Sequence, residues 1–272
     1  MEKSLIELRE VSVYLPGREE AVLHRLSGTI CEGEWLTVAG RNGSGKSVLG
    51  RLLAGLDGRY SGEIGRSAQG ASVRLVMQNP EAQLIGETVE EDLRFGMECA
   101  GIPPEEMENR QQEALAATGL AGLETSPVGS LSGGQKQLLA LAGALAVRPS
   151  VLIADEATSM LDPEARRRLL LVLQSLQKQG MTVIHITQLL EEAAYAGRIW
   201  ALDEGKLVFD GTPEDFFYGR PASTTGMSCS PCRAAGLLPP LSVTVAEQLK
   251  SRGLLTDRYP LTPEALERAV LA

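Results

Sequence analysis

The chain has 272 residues, 43% of them hydrophobic, and a formal net charge of −9. That length supports one large domain with a smaller appendage, that apolar content supports a packed core rather than disorder, and that charge argues against a general nucleic-acid binder. Four cysteines with no recognisable signal peptide fit a reducing interior, and no apolar run approaches the roughly 20 residues needed to cross a bilayer.

In chain order, "SLIELREVSVYL" (4–15) predicts a strand with partial alternation, and "EWLTVAG" (34–40) a second strand ending at glycine. "KSVLGRLLAGL" (46–56) predicts a helix and "SVRLVMQ" (72–78) another strand. Thr88, with Glu91 three residues on, marks a helix start of the capping-box kind, and Pro103–Pro104 opens a second helix. Residues 87–123 thus read as a helical block set between strands. "SVLIAD" (150–155) is a nearly continuous apolar strand, as expected where both faces are covered. A helix ending at Gly180 and the strands "MTVIHIT" and "RIWALDEGKLVFDG" follow. Strands alternating with helices predict an α/β sheet covered on both sides. After about residue 214 Pro, Gly, Ser and Cys crowd together, and "TVAEQLKSRG" and "TPEALERAVLA" then predict two short helices of a small C-terminal subdomain.

Gly40, Gly45, Lys46 and Ser47 fit G-x-x-x-x-G-K-[ST], placed between a strand and a helix as that motif requires. Bare glycines let backbone N–H groups converge on phosphate oxygens, and the following helix adds its positive end. The predicted cradle therefore includes Asn42, Gly43 and Ser44 before Gly45, and Val48 after Ser47. Lys46 would reach the β- and γ-phosphates of ATP and Ser47 would bind Mg²⁺. Asp155 sits at the carboxyl end of the buried strand, where α/β sites lie, and would support Mg²⁺. Glu156 would face the attacking water as general base.

"LSGGQKQ" (131–137) resembles the signature sequence of ABC-type ATPases, and with the two preceding motifs it identifies residues 4 to about 214 as similar to that family. Ser132, Gly133, Gly134 and Gln135 open a helix, a second anion-binding end. The resemblance implies that this end covers the γ-phosphate held by a partner subunit, so that ATP lies between two chains head to tail. It also implies that Gln78 in "VMQNPE" is the glutamine that contacts Mg²⁺ and senses a transmembrane partner, and that Asp162 in "SMLD" crosses the dimer interface. The expected organisation is an ABC ATPase domain over 1–214, with a helical subdomain at about 87–131, and a small C-terminal dimerisation subdomain over 215–272. "QNPEAQLIGETVEEDLRFG", "DEATSMLDP" and the tail "AAGLLPPLSVTVAEQLKSRGL" resemble the ATPase subunits of energy-coupling-factor transporters, including the cobalt type. That likeness implies a second ATPase chain, a transmembrane coupling protein and a substrate-binding membrane component for a vitamin or metal ion. It places the chain peripherally on the cytoplasmic face of the cell membrane.

Three places depart from the family pattern. The switch histidine of a "T-H" pair is replaced in Thr187–Gln188, and His185, three residues earlier, has the opposite parity on a period-2 strand and reads as structural. Gln188 donates an N–H but carries no charge and takes no proton, so weakened or asymmetric hydrolysis is expected. The aromatic that stacks on adenine falls either on Tyr14, after a local shift of the strand, or is replaced by Leu15. Leu138 stands where an arginine is common, and Cys229 and Cys232 form a single C-x-x-C with no second pair or nearby histidine.

Overall fold

The computed structural model describes residues 3–17, 19–67, 71–219, 229–255 and 259–271. It opens with β1 (Ser4–Tyr14), β2 (Ala21–Cys31), β3 (Trp35–Gly40), α1 (Lys46–Leu53), β4 (Tyr60–Arg66) and β5 (Val73–Val76). Three helices follow, α2 (Val89–Cys99), α3 (Pro104–Thr118) and α4 (Gly133–Ala146), then β6 (Val151–Asp155), α5 (Pro163–Lys178), β7 (Thr182–Ile186) and the hairpin β8 (Arg198–Asp203) and β9 (Lys206–Gly211). Among the described residues four helices follow to the end: α6 (Pro213–Tyr218), α7 (Pro231–Ala234), α8 (Leu241–Ser251) and α9 (Pro263–Leu271).

The six-stranded sheet runs β5-β6-β7-β3-β8-β9, parallel except for the edge strand β9. Its two faces divide by residue parity. Val151, Ile153, Ile184 and Ile186 pack with α1 and the β1–β2 layer, whereas Leu152, Ala154 and Val183 pack with the helices α2 to α5. Both faces are covered, which is why "VLIAD" carries no alternation of apolar and polar residues. Three helix starts fall where the sequence puts them. Thr88 and Glu91 make a reciprocal capping box, as do Ser132 and Gln135, and the Asp162 carboxylate accepts from the Glu164 and Ala165 amides at 2.9 Å each.

The second sheet, antiparallel and ordered β2-β1-β4, is an addition to the sequence reading, which gave only β1. Its register slips between Leu8 and Val11 and again between Val13 and Tyr14, which erases a period of two. In β4, "YSGEIGR" has two glycines and is almost wholly exposed, so it offers little apolar pattern. Gly28 lets this sheet lie against the other: a Cβ there would stand 2.6 Å from Trp200 Cζ2. Helix α1 stops at Leu53, three residues before the expected end at Leu56, because Gly55 takes φ 76 and turns the chain.

Described parts of the C-terminal stretch pack onto the main sheet. Phe216, Phe217, Cys232 and Val243 share one cluster with Ala39 of β3 and Ile199 and Ala201 of β8. A Cβ on Gly236 would lie 3.6 Å from Arg41 Cδ in the loop after β3. Cys229 is exposed and Cys232 buried, both as free thiols.

His185 lies within β7, fully buried, edge-on to Trp35 at 6.0 Å. Burial pushes its imidazole down to about 4. The folded value lies below the unfolded one, so the stability it affects is whole above about pH 6.5 and falls as pH drops toward 4. The full loss is about 3 kcal/mol, while Glu192, raised by burial, works in the opposite direction. Urea midpoints measured at pH 7 and pH 4.5 should converge in His185→Phe relative to the native chain; an unchanged difference would overturn this assignment.

Candidate functional site

Strand β3 delivers the chain to Gly40, and the loop that follows turns directly into α1. Gly45, at the helix N-cap, has φ 98, and a Cβ there would strike Leu23 Cδ2, so the loop closes this tightly only with glycine. Lys46 is 4% exposed, and its Nζ donates to the carbonyls of Gly40 at 2.9 Å and Arg41 at 3.0 Å. An ammonium has three N–H donors, which leaves one for an anion over the loop. Burial lowers the Lys46 pKa, and the Glu156 and Asp155 carboxylates oppose that shift.

An open cavity of about 520 Å³ lies over this loop. Five stretches of chain converge on it: Val22 from β2, the loop and first turn of α1 from Asn42 to Val48, Gln78 beyond β5, Asp155–Glu156 at the end of β6, and Gln188 beyond β7. Ser47 Oγ donates to Asp155 Oδ1 at 3.0 Å. Burial raises the Asp155 pKa, the Ser47 hydrogen bond lowers it, and the neighbouring Glu156 raises it further. Gln78 Nε2 donates to Ser159 Oγ at 3.0 Å, and that hydroxyl donates to the Glu156 carbonyl at 2.9 Å. Gln188 Nε2 donates to Glu156 Oε1 at 2.5 Å. Glu156 itself has φ 49, a left-handed backbone unusual for a residue with a side chain.

The remaining sequence-derived residues lie elsewhere. Gly40 is beneath the loop, where its carbonyl holds Lys46, and Ser44 is buried in the turn. Ser132, Gly133, Gly134 and Gln135 start α4 away from the cavity, and a Cβ on Gly134 would lie 2.8 Å from that of Ala165 on α5. Asp162 caps α5. Neither Tyr14 nor Leu15 lines the cavity: Arg59 sits over the Tyr14 ring at 6.0 Å, and Leu15 packs on the core. Beside Val48, the cavity's apolar lining is Val22, which the sequence reading passed over because β2 was not recognised. His185 is absent from the lining, and Gln188 occupies the position at the end of β7.

Glu81 and Gln137 were also missed, and they tie α4 to the segment carrying Gln78. Lys136 pairs with Glu81 at 2.6 Å, and Gln137 Nε2 donates to the Met77 carbonyl at 3.0 Å. The start of α4 and the Gln78 segment are therefore fastened together within one chain.

Residues 23–159 match the ABC transporter family. The energy-coupling factor transporter ATP-binding protein EcfA1 of Streptococcus thermophilus is 38% identical, with 96% of each chain covered. The protein of the same name from Halalkalibacterium halodurans is 39% identical over 99% of this chain and 98% of its own. Among solved structures, cbiO1 from Clostridium perfringens, described as part of the ABC transporter complex cbiONQ, superposes with a TM-score of 0.73 at 30% identity, covering 79% of this chain and 91% of that one. An ATP-binding cassette solved as a dimer in a post-hydrolysis state with ADP and Pi gives 0.67 at 26% identity, covering 77% and 99%. A family model matched over residues 23–159 and relatives 38–39% identical along nearly the whole chain show that it belongs to the ABC transporter family, among the energy-coupling factor transporter ATP-binding proteins.

Proposed function

We propose that this chain is the ATP-binding and ATP-hydrolysing subunit of an energy-coupling-factor membrane importer for a vitamin or metal ion. The observation that carries the reading is the convergence of Lys46, Ser47, Gln78, Asp155, Glu156 and Gln188 on one cavity over a glycine loop. The loop amides and Lys46 bind the triphosphate. Ser47, Asp155 and Gln78 offer oxygen donors of the kind Mg²⁺ takes, and the Ser47–Asp155 contact brings two of them together. Mg²⁺, when bound, neutralises charge on the phosphate oxygens. Glu156 orients the attacking water and accepts its proton, and Gln188 donates an N–H beside it.

The signature end of α4 and Asp162 stand outside this chain's own cavity, which supports a site completed by a second ATPase chain. The dimeric cassette with ADP and Pi is consistent with that arrangement. The helical block over about 87–131 presents its surface to a transmembrane coupling protein, and residues 215–272 help hold the two ATPases together. No described helix is long and apolar enough to cross a membrane, and we place the chain peripherally on the cytoplasmic face of the membrane. Purification from membranes should recover a transmembrane partner and a second ATPase, with turnover that requires Mg²⁺; an isolated chain that binds no ATP would overturn the reading.

A second reading, a slowly hydrolysing half of a heterodimer, is favoured by Gln188. A neutral amide forms weaker hydrogen bonds to a phosphate than an imidazolium does, by about 1.5 kcal/mol. Gln188→His should therefore raise steady-state turnover of the assembly by about tenfold. An unchanged rate would remove the basis for this second reading.

A further inference from the structure

Strands β6 and β7 are paired as far as Asp155 and Ile186, and the Glu156 amide makes one more bond, to the Ile186 carbonyl at 2.9 Å. Beyond it the backbones part. The Ser159 amide turns back to the Glu156 carbonyl at 3.1 Å, and the Thr187 amide goes to Val38 of β3 at 3.2 Å. Beyond the sheet the two loops are joined at the cavity by the Gln188–Glu156 side-chain bond and, from inside, by a second, buried link.

That link is Glu192, on the short turn Glu192–Tyr195. It is 2% exposed. One carboxylate oxygen, Oε2, accepts from Thr187 Oγ1 at 2.6 Å and from Thr158 Oγ1 at 3.0 Å. Both threonines are buried, one residue before Gln188 and two after Glu156. Thr187 Oγ1 also accepts from the Leu189 amide at 3.0 Å, so its single proton is directed to Glu192 and the turn past Gln188 is braced from inside. The other groups facing the carboxylate are His185 Nε2 at 3.3 Å and Arg166 Nε at 3.8 Å. Arg166 lies on α5, whose cap is Asp162. Burying a carboxylate is unfavourable before its hydrogen bonds are counted. A leucine would fill this space more cheaply, but it could not hold two hydroxyls.

We infer that Glu192 is a positioning residue that clasps the Glu156 loop to the Gln188 loop and so fixes the separation of the two groups facing the terminal phosphate. It does not line the cavity. The inference rests on the ATPase reading above and deepens it. Small displacements of groups at a reacting centre can cost up to about a hundredfold in rate.

The test is steady-state ATP turnover and nucleotide KM in the full chain with its membrane partners. Glu192→Leu and the double variant Thr158→Val/Thr187→Val should each lower kcat by roughly ten- to a hundredfold, with KM within about threefold of native. Glu192→Gln, which keeps an acceptor oxygen for both hydroxyls, should retain kcat within about threefold. If Glu192→Leu fails to fold, the nearly isosteric valine pair decides. A valine pair that turns over as the native chain does, or a Glu192→Gln as slow as Glu192→Leu, overturns the clasp. So does a fall in thermal midpoint with kcat unchanged. Native turnover and ATP binding are measured alongside: if they are absent the ATPase reading falls, and if they are present while the variants match native, only the clasp falls.

Discussion

Glu156→Gln is expected to lower ATP turnover by about 10²- to 10³-fold while leaving nucleotide affinity within a few-fold. The carboxylate is positioned by a left-handed backbone at φ 49, by its amide bond to Ile186 and by the Gln188 side chain at 2.5 Å. Glutamine preserves the length and shape of the side chain, so the loop keeps its course. On the proposed reading it removes the general base, and such a base contributes a factor of this size. On the same proposed reading, binding is set by the loop amides and Lys46, which the substitution leaves alone. Single-turnover measurement with bound ATP isolates the chemical step. A Glu156→Gln chain that hydrolyses at the native rate would show that the proton goes elsewhere and that this chain's own cavity is not where cleavage occurs.

Lys46→Ala acts on the other half of the problem. The ammonium is buried and held by two carbonyls, which orient it toward the cavity's glycine loop. A charge-assisted hydrogen bond to a phosphate oxygen is worth up to about 3 kcal/mol, which corresponds to roughly 150-fold in ATP affinity. The Gly40 and Arg41 carbonyls also lose their donor, which loosens the loop. Equilibrium binding of ATP in the presence of Mg²⁺ reads the effect directly. Lys46→Arg should not rescue it, because a planar fork cannot occupy the pocket of a compact ammonium. Native affinity in Lys46→Ala would mean that the loop binds triphosphate through its amides alone.

Much of the phosphate side of the site was legible in the sequence. Gly45, Lys46 and Ser47 come from a fixed spacing whose cause is local, a tight turn into a helix. Asp155 and Glu156 come from a buried strand and the rule that α/β sites lie at strand ends. Opposite parity on a strand kept His185 out of the cavity and Gln188 in it. Gln78 was reachable only through family likeness, since one glutamine after a strand carries no signal of its own. The β1–β2–β4 sheet was mostly hidden by register slips and by the exposed, glycine-bearing β4, and Val22 was hidden with it. Glu192 was the least readable. "LLEEAAYA" looks like a solvated turn, and its burial follows from contacts with Thr158 and Arg166, which lie 34 and 26 residues away along the chain. Tertiary packing of this kind leaves no short-range pattern.

The C-terminal stretch has a mechanical consequence. Cys232 and Val243 rest in the same cluster as Ala39, the residue immediately before Gly40, and Gly236 abuts Arg41. The tail is thus a backstop to the strand that bears the glycine loop. If the tail is the assembly surface proposed above, a body that shifts α8 would press through this cluster on that strand from behind, and assembly and the hold on nucleotide would share one lever arm.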